Sequence, residues 1–233
     1  MFLRASVAIS VSVAASGILK GDVPRLRPLL SSLLLIVMAG ACRPAPVEDD
    51  ATLASDLAAF RASKDQAFRQ SDSPVPPDQQ ATLLPLAYYP AAVAYRVAAV
   101  LRVEPTKVTL EMLTSTGQRR MMQRVGTLEF SLKGQSLTLG AFAEAGAPDF
   151  NRLFVPFNDL TSGSETYPAG RYLDLDLTRS GIYVLDFNRA YNPYCYYNKT
   201  YDCPLPPREN RLRVPIRAGE KVTNGLAPAV SVR

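Results

Sequence analysis

The sequence predicts an α+β domain, mostly β, with an N-terminal helix packed on an antiparallel sandwich or barrel-like sheet. Three observations carry this. From about residue 93 onward the chain is a series of short segments rich in Val, Tyr, Thr, Leu and Phe, several alternating strictly between apolar and polar residues. Turn signals separate these segments at intervals of roughly 8–12 residues, the spacing of sandwiches and barrels. No helix of crossover length lies between them, which argues against a parallel Rossmann sheet.

In chain order, the first element is an export signal. Arg25 and Arg27 precede a nearly unbroken apolar run at 29–41 that ends in small residues. A bilayer span takes about 20 apolar residues, so the run is too short to cross comfortably. It ends on Ala39-Gly40-Ala41-Cys42, which resembles the bacterial lipobox, although Leu is commoner where Ala39 stands. The expectation is cleavage before Cys42 and acylation of that cysteine, palmitate included, giving a membrane-anchored lipoprotein of the cell envelope. The competing reading is an ordinary signal peptide with a chance cysteine. Arg43 after the cysteine leans toward the outer membrane, facing the periplasm. A second short apolar run at 7–19 lies behind Arg4, so 1–22 are read as a start-site artefact.

Residues 42–52 form a polar tether. Asp49 or Asp50 is placed to cap a helix whose apolar positions are Leu53, Leu57, Phe60 and Phe68, and 71–77 stops it. Strands are predicted at 95–103, 107–113, 119–124, 127–132, 135–142, 153–157, 171–177, 181–187 and 212–216. Ser115-Thr116-Gly117 and Lys133-Gly134 are the clearest turns. The globular domain runs from 53 to 222, and 223–233 is a loose tail.

Composition removes several function classes. The formal charge of +5 is misleading, because Arg4, Lys20, Arg25 and Arg27 against Asp22 place +3 in the signal. The remaining +2 has no basic cluster beyond Arg119-Arg120 and Arg124, so nucleic acid is not an expected partner. There are 0 histidines, which eliminates Ser-His-Asp and Cys-His nucleophile systems and His-containing zinc sites. With Cys42 assigned to lipid, Cys195 and Cys203 remain as a pair. In an oxidising envelope the expectation is a disulfide, against the alternatives of a redox pair or a two-thiolate metal site.

Several long strings stand out in the second half: 153–163, Glu165-Thr166-Tyr167, 170–174, 185–195 and 203–210. With Phe60-Arg61, Lys64-Asp65 and Tyr88-Tyr89-Pro90, they resemble the bacterial and archaeal family called domain of unknown function 1684, over roughly 55–222. The resemblance implies a single compact domain, often on an exported lipoprotein. It implies no activity.

Chemistry, if present, centres on two loops. Asp159 and Glu165 flank a turn-like Thr161-Ser162-Gly163-Ser164, with Arg171 and Asp174 close behind. Two carboxylates on one loop can serve as acid and base, or hold a hard cation. Alternatively Asp159 caps the turn and Glu165 pairs with Arg171. Asp186 ends a strand and opens a loop with Asn188, Tyr191, Asn192, Tyr194, Tyr196, Tyr197 and Asn198. Flat faces with hydrogen-bonding tips suit a polar ligand such as a sugar or an envelope fragment, or brace an irregular loop. The catalytic candidates are Asp159, Glu165, Asp186 and Arg171. The ligand-binding candidates are Asp159, Glu165, Arg171, Asp186, Asn188, Tyr191 and Asn192. No metal or cofactor is expected, and oligomeric state is open. Three readings follow: a binding lipoprotein, a carboxylate-dependent hydrolase, and a structural or assembly lipoprotein.

Overall fold

The computed structural model describes residues 49–147 and 150–223. The signal, most of the tether with Cys42, and the tail from 224 onward lie outside the described residues. Helix α1 spans Asp50–Ala67. Asp49 caps it, its side chain accepting from the Thr52 amide at 2.7 Å, which satisfies one orphan donor of the first turn. Leu53 and Leu57, one turn apart, are its buried residues. Two elements that periodicity did not suggest follow: a 3-10 turn at Pro77–Gln79 and the single-turn α2 at Gln80–Leu83.

Six antiparallel strands form one nearly closed, barrel-like sheet: β1 Arg96–Leu113, β2 Arg119–Leu132, β3 Gln135–Glu144, β4 Arg152–Phe157, β5 Arg171–Asp176 and β6 Ile182–Asp186. Their order is β5-β4-β3-β2-β1-β6. The predicted pairs 95–103 with 107–113, and 119–124 with 127–132, are each one long strand. The β2–β3 connection is the two-residue turn Lys133-Gly134, both with positive φ (50° and 77°), whose twist matches the flanking strands.

A bulge in β2 decides which residues face where. Arg124 pairs with Phe142 and Gly126 with Ala141, leaving Val125 unpaired in the ladder. One extra residue exchanges the two faces. Leu128 and Phe130 therefore join the main core with Leu139, Ala141, Leu153, Val155, Leu173 and Leu185. Met122, also even-numbered, belongs instead to a separate cluster with Met112 and Phe142. A third cluster gathers Phe68, Tyr167, Tyr172, Cys195, Tyr196, Tyr197 and Cys203.

The predicted strand at 212–216 does not form. Arg211 makes an isolated bridge to Asn158, and Pro215 has no N–H to give a ladder. Side chains take the place of a partner strand. The Ile216 amide donates to Asp159, and Arg171 donates to the Ile216 carbonyl. Buried Asn210 works similarly where β3 and β4 share only the Phe142–Phe154 pair. Its amide receives from the Gly140 N–H at 2.7 Å and donates to the carbonyls of Gly140 and Pro156.

Candidate functional site

The alternation of β2 to β5 builds a floor on the sheet face away from the main core. Met122 lies opposite Glu144, Phe142 opposite Phe154, and Phe154 opposite Asp174. Over this floor, Phe60 and Lys64 of α1 and the segment 191–204 complete a cavity of about 740 Å³.

The 191–204 segment is fixed at both ends. Tyr191 pairs with Tyr172 on the edge of β5, each amide donating to the other's carbonyl at 3.1 and 2.9 Å. At the far end Ser115 N–H donates to the Cys203 carbonyl at 2.8 Å and Leu205 N–H to the Leu113 carbonyl at 2.7 Å. The Tyr172 hydroxyl donates to the Pro204 carbonyl. Pro193 precedes one turn of helix, α3 at Tyr194–Tyr197, which turns the aromatic run back on itself. Tyr194 stands edge-on to Tyr201 at 5.3 Å, and Phe154 edge-on to Tyr172 at 4.7 Å.

The charged groups of the wall are unevenly committed. Lys64 forms an ion pair with the buried Glu220, whose other oxygen accepts from the Asn192 amide and the Tyr197 hydroxyl. The Lys64 ammonium also lies 5.0 Å from the Tyr191 ring centre. Arg120 donates to the Asp202 carbonyl at 3.0 Å and lies 3.6 Å from its carboxylate. Burial pushes the Asp202 carboxyl up, but hydrogen bonds from Thr114 and Thr116 outweigh it and hold Asp202 below its ordinary pKa. Asp174 accepts from the Tyr191 hydroxyl at 2.8 Å. Burial, then the Asp174 charge, pushes the Tyr191 pKa well up, so this hydroxyl stays a donor. Glu144 has no hydrogen bond or ion pair to its carboxylate among the described residues.

Of the residues of the two loops singled out from sequence, Asp174, Tyr191 and Tyr194 line this cavity, whereas Asp159, Glu165, Arg171, Asp186, Asn188 and Asn192 do not. Asp159 and Arg171 meet each other: Arg171 donates to Asp159 Oδ2 at 2.8 Å, both side chains being at most 1% exposed. Arg171 also donates to the carbonyls of Ile216, Ala218 and Glu220. Asp159 Oδ1 accepts from the Thr161 amide and hydroxyl, the turn-capping arrangement, and from the Ile216 amide. The expected Glu165–Arg171 pair is corrected. Glu165 lies on the surface with Arg217, bidentate at 2.8–3.1 Å, and with the Tyr89 hydroxyl. Arg171 is out of its reach because it is buried with Asp159.

Asp186 accepts from the Asn188 amide and side chain, and lies 3.5 Å from Arg189. Asn188 in turn mimics a strand, exchanging two hydrogen bonds with the Ala92 backbone at 3.0 Å. Asn192 donates to Glu220 and to the Lys221 carbonyl. These polar residues tie the 84–95 and 216–222 segments to the sheet.

Cys195 and Cys203 are brought side by side as buried free thiols, the Cys195 amide donating to Cys203 Sγ at 3.2 Å. The Cys203 hydrogen bond, helped by Ser115 and Tyr167, lowers the Cys195 thiol to about 7, while the Cys203 thiol is pushed up.

Sequence reasoning missed Lys64, Glu144, Phe154, Tyr172, Tyr201 and Asp202 as wall residues. The signal that finds four sheet members of the wall is their common even number, Met122, Glu144, Phe154 and Asp174, once the register of β2 to β5 is known.

Three comparisons bear on the chain. The family model described as "Protein of unknown function (DUF1684)" matches residues 82–221. A solution NMR structure of an uncharacterized protein from Haloarcula marismortui is similar at 39% identity, covering 72% of this chain and 93% of that one, with a TM-score of 0.58. No curated protein matches.

Proposed function

The chain belongs to the DUF1684 family of proteins of unknown function, and from its cavity and its N-terminal sequence we propose an exported, outer-membrane lipoprotein whose domain binds a small polar ligand. The observation that carries the binding reading is the cavity. Its volume of about 740 Å³ falls within the range typical of small-molecule sites, roughly 300–1,000 Å³. Its walls combine Tyr, Phe and Met faces with a few convergent charged groups, the composition that holds a sugar ring or an envelope fragment. The hydrolase alternative draws less support, because Asp159, Glu165 and Asp186 each direct their oxygens to protein partners away from the cavity wall.

The test is a thermal-shift screen of muropeptides released from peptidoglycan, together with neutral disaccharides, against the full chain. At least one should raise the melting temperature, and Tyr194→Ala, at a ring that is 45% exposed and can be removed without opening the core, should abolish the shift. A complete absence of shifts, or shifts indifferent to Tyr194→Ala, refutes the reading.

The anchor rests on Ala39-Gly40-Ala41-Cys42. Labelled palmitate should be incorporated by the parent and lost in Cys42→Ala, with the protein in the outer-membrane fraction. Incorporation unchanged by the substitution removes the anchor. Among the described residues no helix is long and apolar enough to cross a membrane.

In the envelope, Cys195 and Cys203 are proposed to close as a disulfide by exchange with a disulfide-bearing oxidant, each thiol losing its proton and the oxidant taking two electrons. A thiolate at Cys195 is a competent attacker near neutral pH. Closure should contribute about 2–3 kcal/mol. Two thiols that react fully with a blocking reagent in denatured protein isolated from the envelope refute it.

A further inference from the structure

Resting on the binding reading above, we propose that the cavity selects a ligand carrying an ammonium group. The argument is the charge left over after the wall's own pairs are formed. The two cations of the wall are already matched, Lys64 by Glu220 and Arg120 by Asp202. Asp174 and Glu144 remain. Asp174 accepts the neutral Tyr191 hydroxyl, the Arg152 cation that feels its charge being ion-paired to Asp176, and Glu144 has no hydrogen bond or ion pair among the described residues. The cavity therefore carries uncompensated negative charge, and a concave, partly apolar wall concentrates that field on whatever enters.

The aromatic surroundings point the same way. Phe154 lies between Glu144 and Asp174 on the sheet, directly opposite Asp174. Tyr191 flanks Asp174, and Tyr194 and Tyr201 form an edge-on pair in the same wall. Aromatic faces attract an organic cation and give nothing comparable to an anion. An uncharged sugar gains from the faces but leaves both carboxylates without a counter-charge.

Spacing argues for an organic cation over a bare metal ion. Asp174 and Glu144 sit two strands apart and two residues along, so their α-carbons are roughly 12 Å from one another by sheet geometry. At that spacing a bare ion would find at most two carboxylates, too few oxygen ligands to replace its water shell. No group of three or more His, Cys, Asp or Glu is placed to hold a metal among the described residues. An extended amine or amino sugar can approach either carboxylate while its carbon skeleton lies on Phe154.

The experiment compares the glucosamine disaccharide with its di-N-acetylated form, and adds spermidine, by NMR titration of the full chain at pH 6 and low salt. The two sugars share one carbon skeleton, and acetylation replaces each ammonium by a neutral amide, so the carboxylate substitutions and the salt dependence separate charge from the added acetyl bulk. The amine should bind at least tenfold more tightly than its acetylated form, and spermidine should compete with it. The advantage should fall about tenfold in Glu144→Gln and in Asp174→Asn, and should shrink as salt is raised. Both substitutions are isosteric and at exposed positions, and unchanged circular dichroism confirms that each variant folds. Equal affinity for the two sugars, or an amine advantage untouched by both substitutions, overturns the inference while leaving the binding reading in place. Binding of neither amine also overturns it, and the binding reading then stands or falls on the muropeptide screen with Tyr194→Ala.

Discussion

Replacing Arg171 by Met should destabilise the domain severely without any direct effect on the cavity. Arg171 is 1% exposed. It donates to Asp159 Oδ2 at 2.8 Å and to three carbonyls of the 216–220 segment at 2.5–3.1 Å. Methionine fills much of the volume and makes none of these bonds. Asp159 is then a buried carboxylate with one oxygen uncompensated, which costs about 3–5 kcal/mol. The Ile216, Ala218 and Glu220 carbonyls also lose a donor, at about 1 kcal/mol each where water cannot replace it. These losses overlap, and about 5 kcal/mol is a reasonable total. That is comparable to the whole stability of many domains, about 5–15 kcal/mol. At about 2–4 °C per kcal/mol for a domain of this size, the melting temperature should fall by about 10–20 °C. Thermal melts by circular dichroism measure this. Hydrogen exchange should show the loss first at 216–222, whose carbonyls Arg171 holds. The double variant Asp159→Asn with Arg171→Met removes both charges and should recover part of the loss. A single variant within 1 kcal/mol of the parent would refute the reasoning. So would a variant that melts normally but no longer binds ligand, because Arg171 would then serve the ligand and not the fold.

Two further outcomes follow from the packing. Gly126→Ala places a Cβ 2.3 Å from the Arg102 carbonyl oxygen, a backbone atom that cannot move alone. The β1–β2 ladder must part there, and chemical denaturation should show a loss of about 2–3 kcal/mol; an unchanged midpoint would mean the bulge is not this tightly packed. At alkaline pH, burial holds the hydroxyls of Tyr172, Tyr191 and Tyr197 well above the ordinary tyrosine pKa of 10.0. The unfolded chain releases these protons near pH 10 while the folded chain keeps them. Stability is therefore intact below about pH 10 and falls above it, by about 1.4 kcal/mol per pH unit for each tyrosine. Residue-resolved NMR of the tyrosine rings should show Tyr172, Tyr191 and Tyr197 protonated until the protein unfolds; a phenolate at any of these three in the folded protein would sink this reading.

Much of the fold is legible locally. Asp49 caps α1, and Lys133-Gly134 makes the β2–β3 turn, because capping and positive φ depend on residues within a few positions of one another. The alternation at 107–113 and 127–132 is equally local, and both stretches are strand. The polar residues of the 159–174 and 186–192 loops were also conspicuous from sequence, but their residue types say nothing of their partners. Asp159 and Arg171 are a plausible acid and anchor for chemistry until each other's position is known. The last segment looked like a strand because its residues are apolar, yet side chains reaching from 159 and 171 hold it.

Sequence alone determined that a helix precedes a β-rich domain and that histidine chemistry is absent, and it supplies the Ala39-Gly40-Ala41-Cys42 string on which the proposed anchor rests. Tertiary structure decided which faces those strands turn to one another. Met122, Leu128 and Phe130 share a parity, and the unpaired Val125 sends Met122 to one face and the other two to the opposite one. The reason is physical: a bulge is settled by hydrogen bonds to neighbouring strands, and its effect on side-chain direction propagates along the strand. The cavity lies on the face that Met122 shares with Glu144, Phe154 and Asp174, residues up to 52 positions apart that become neighbours only through the pairing register.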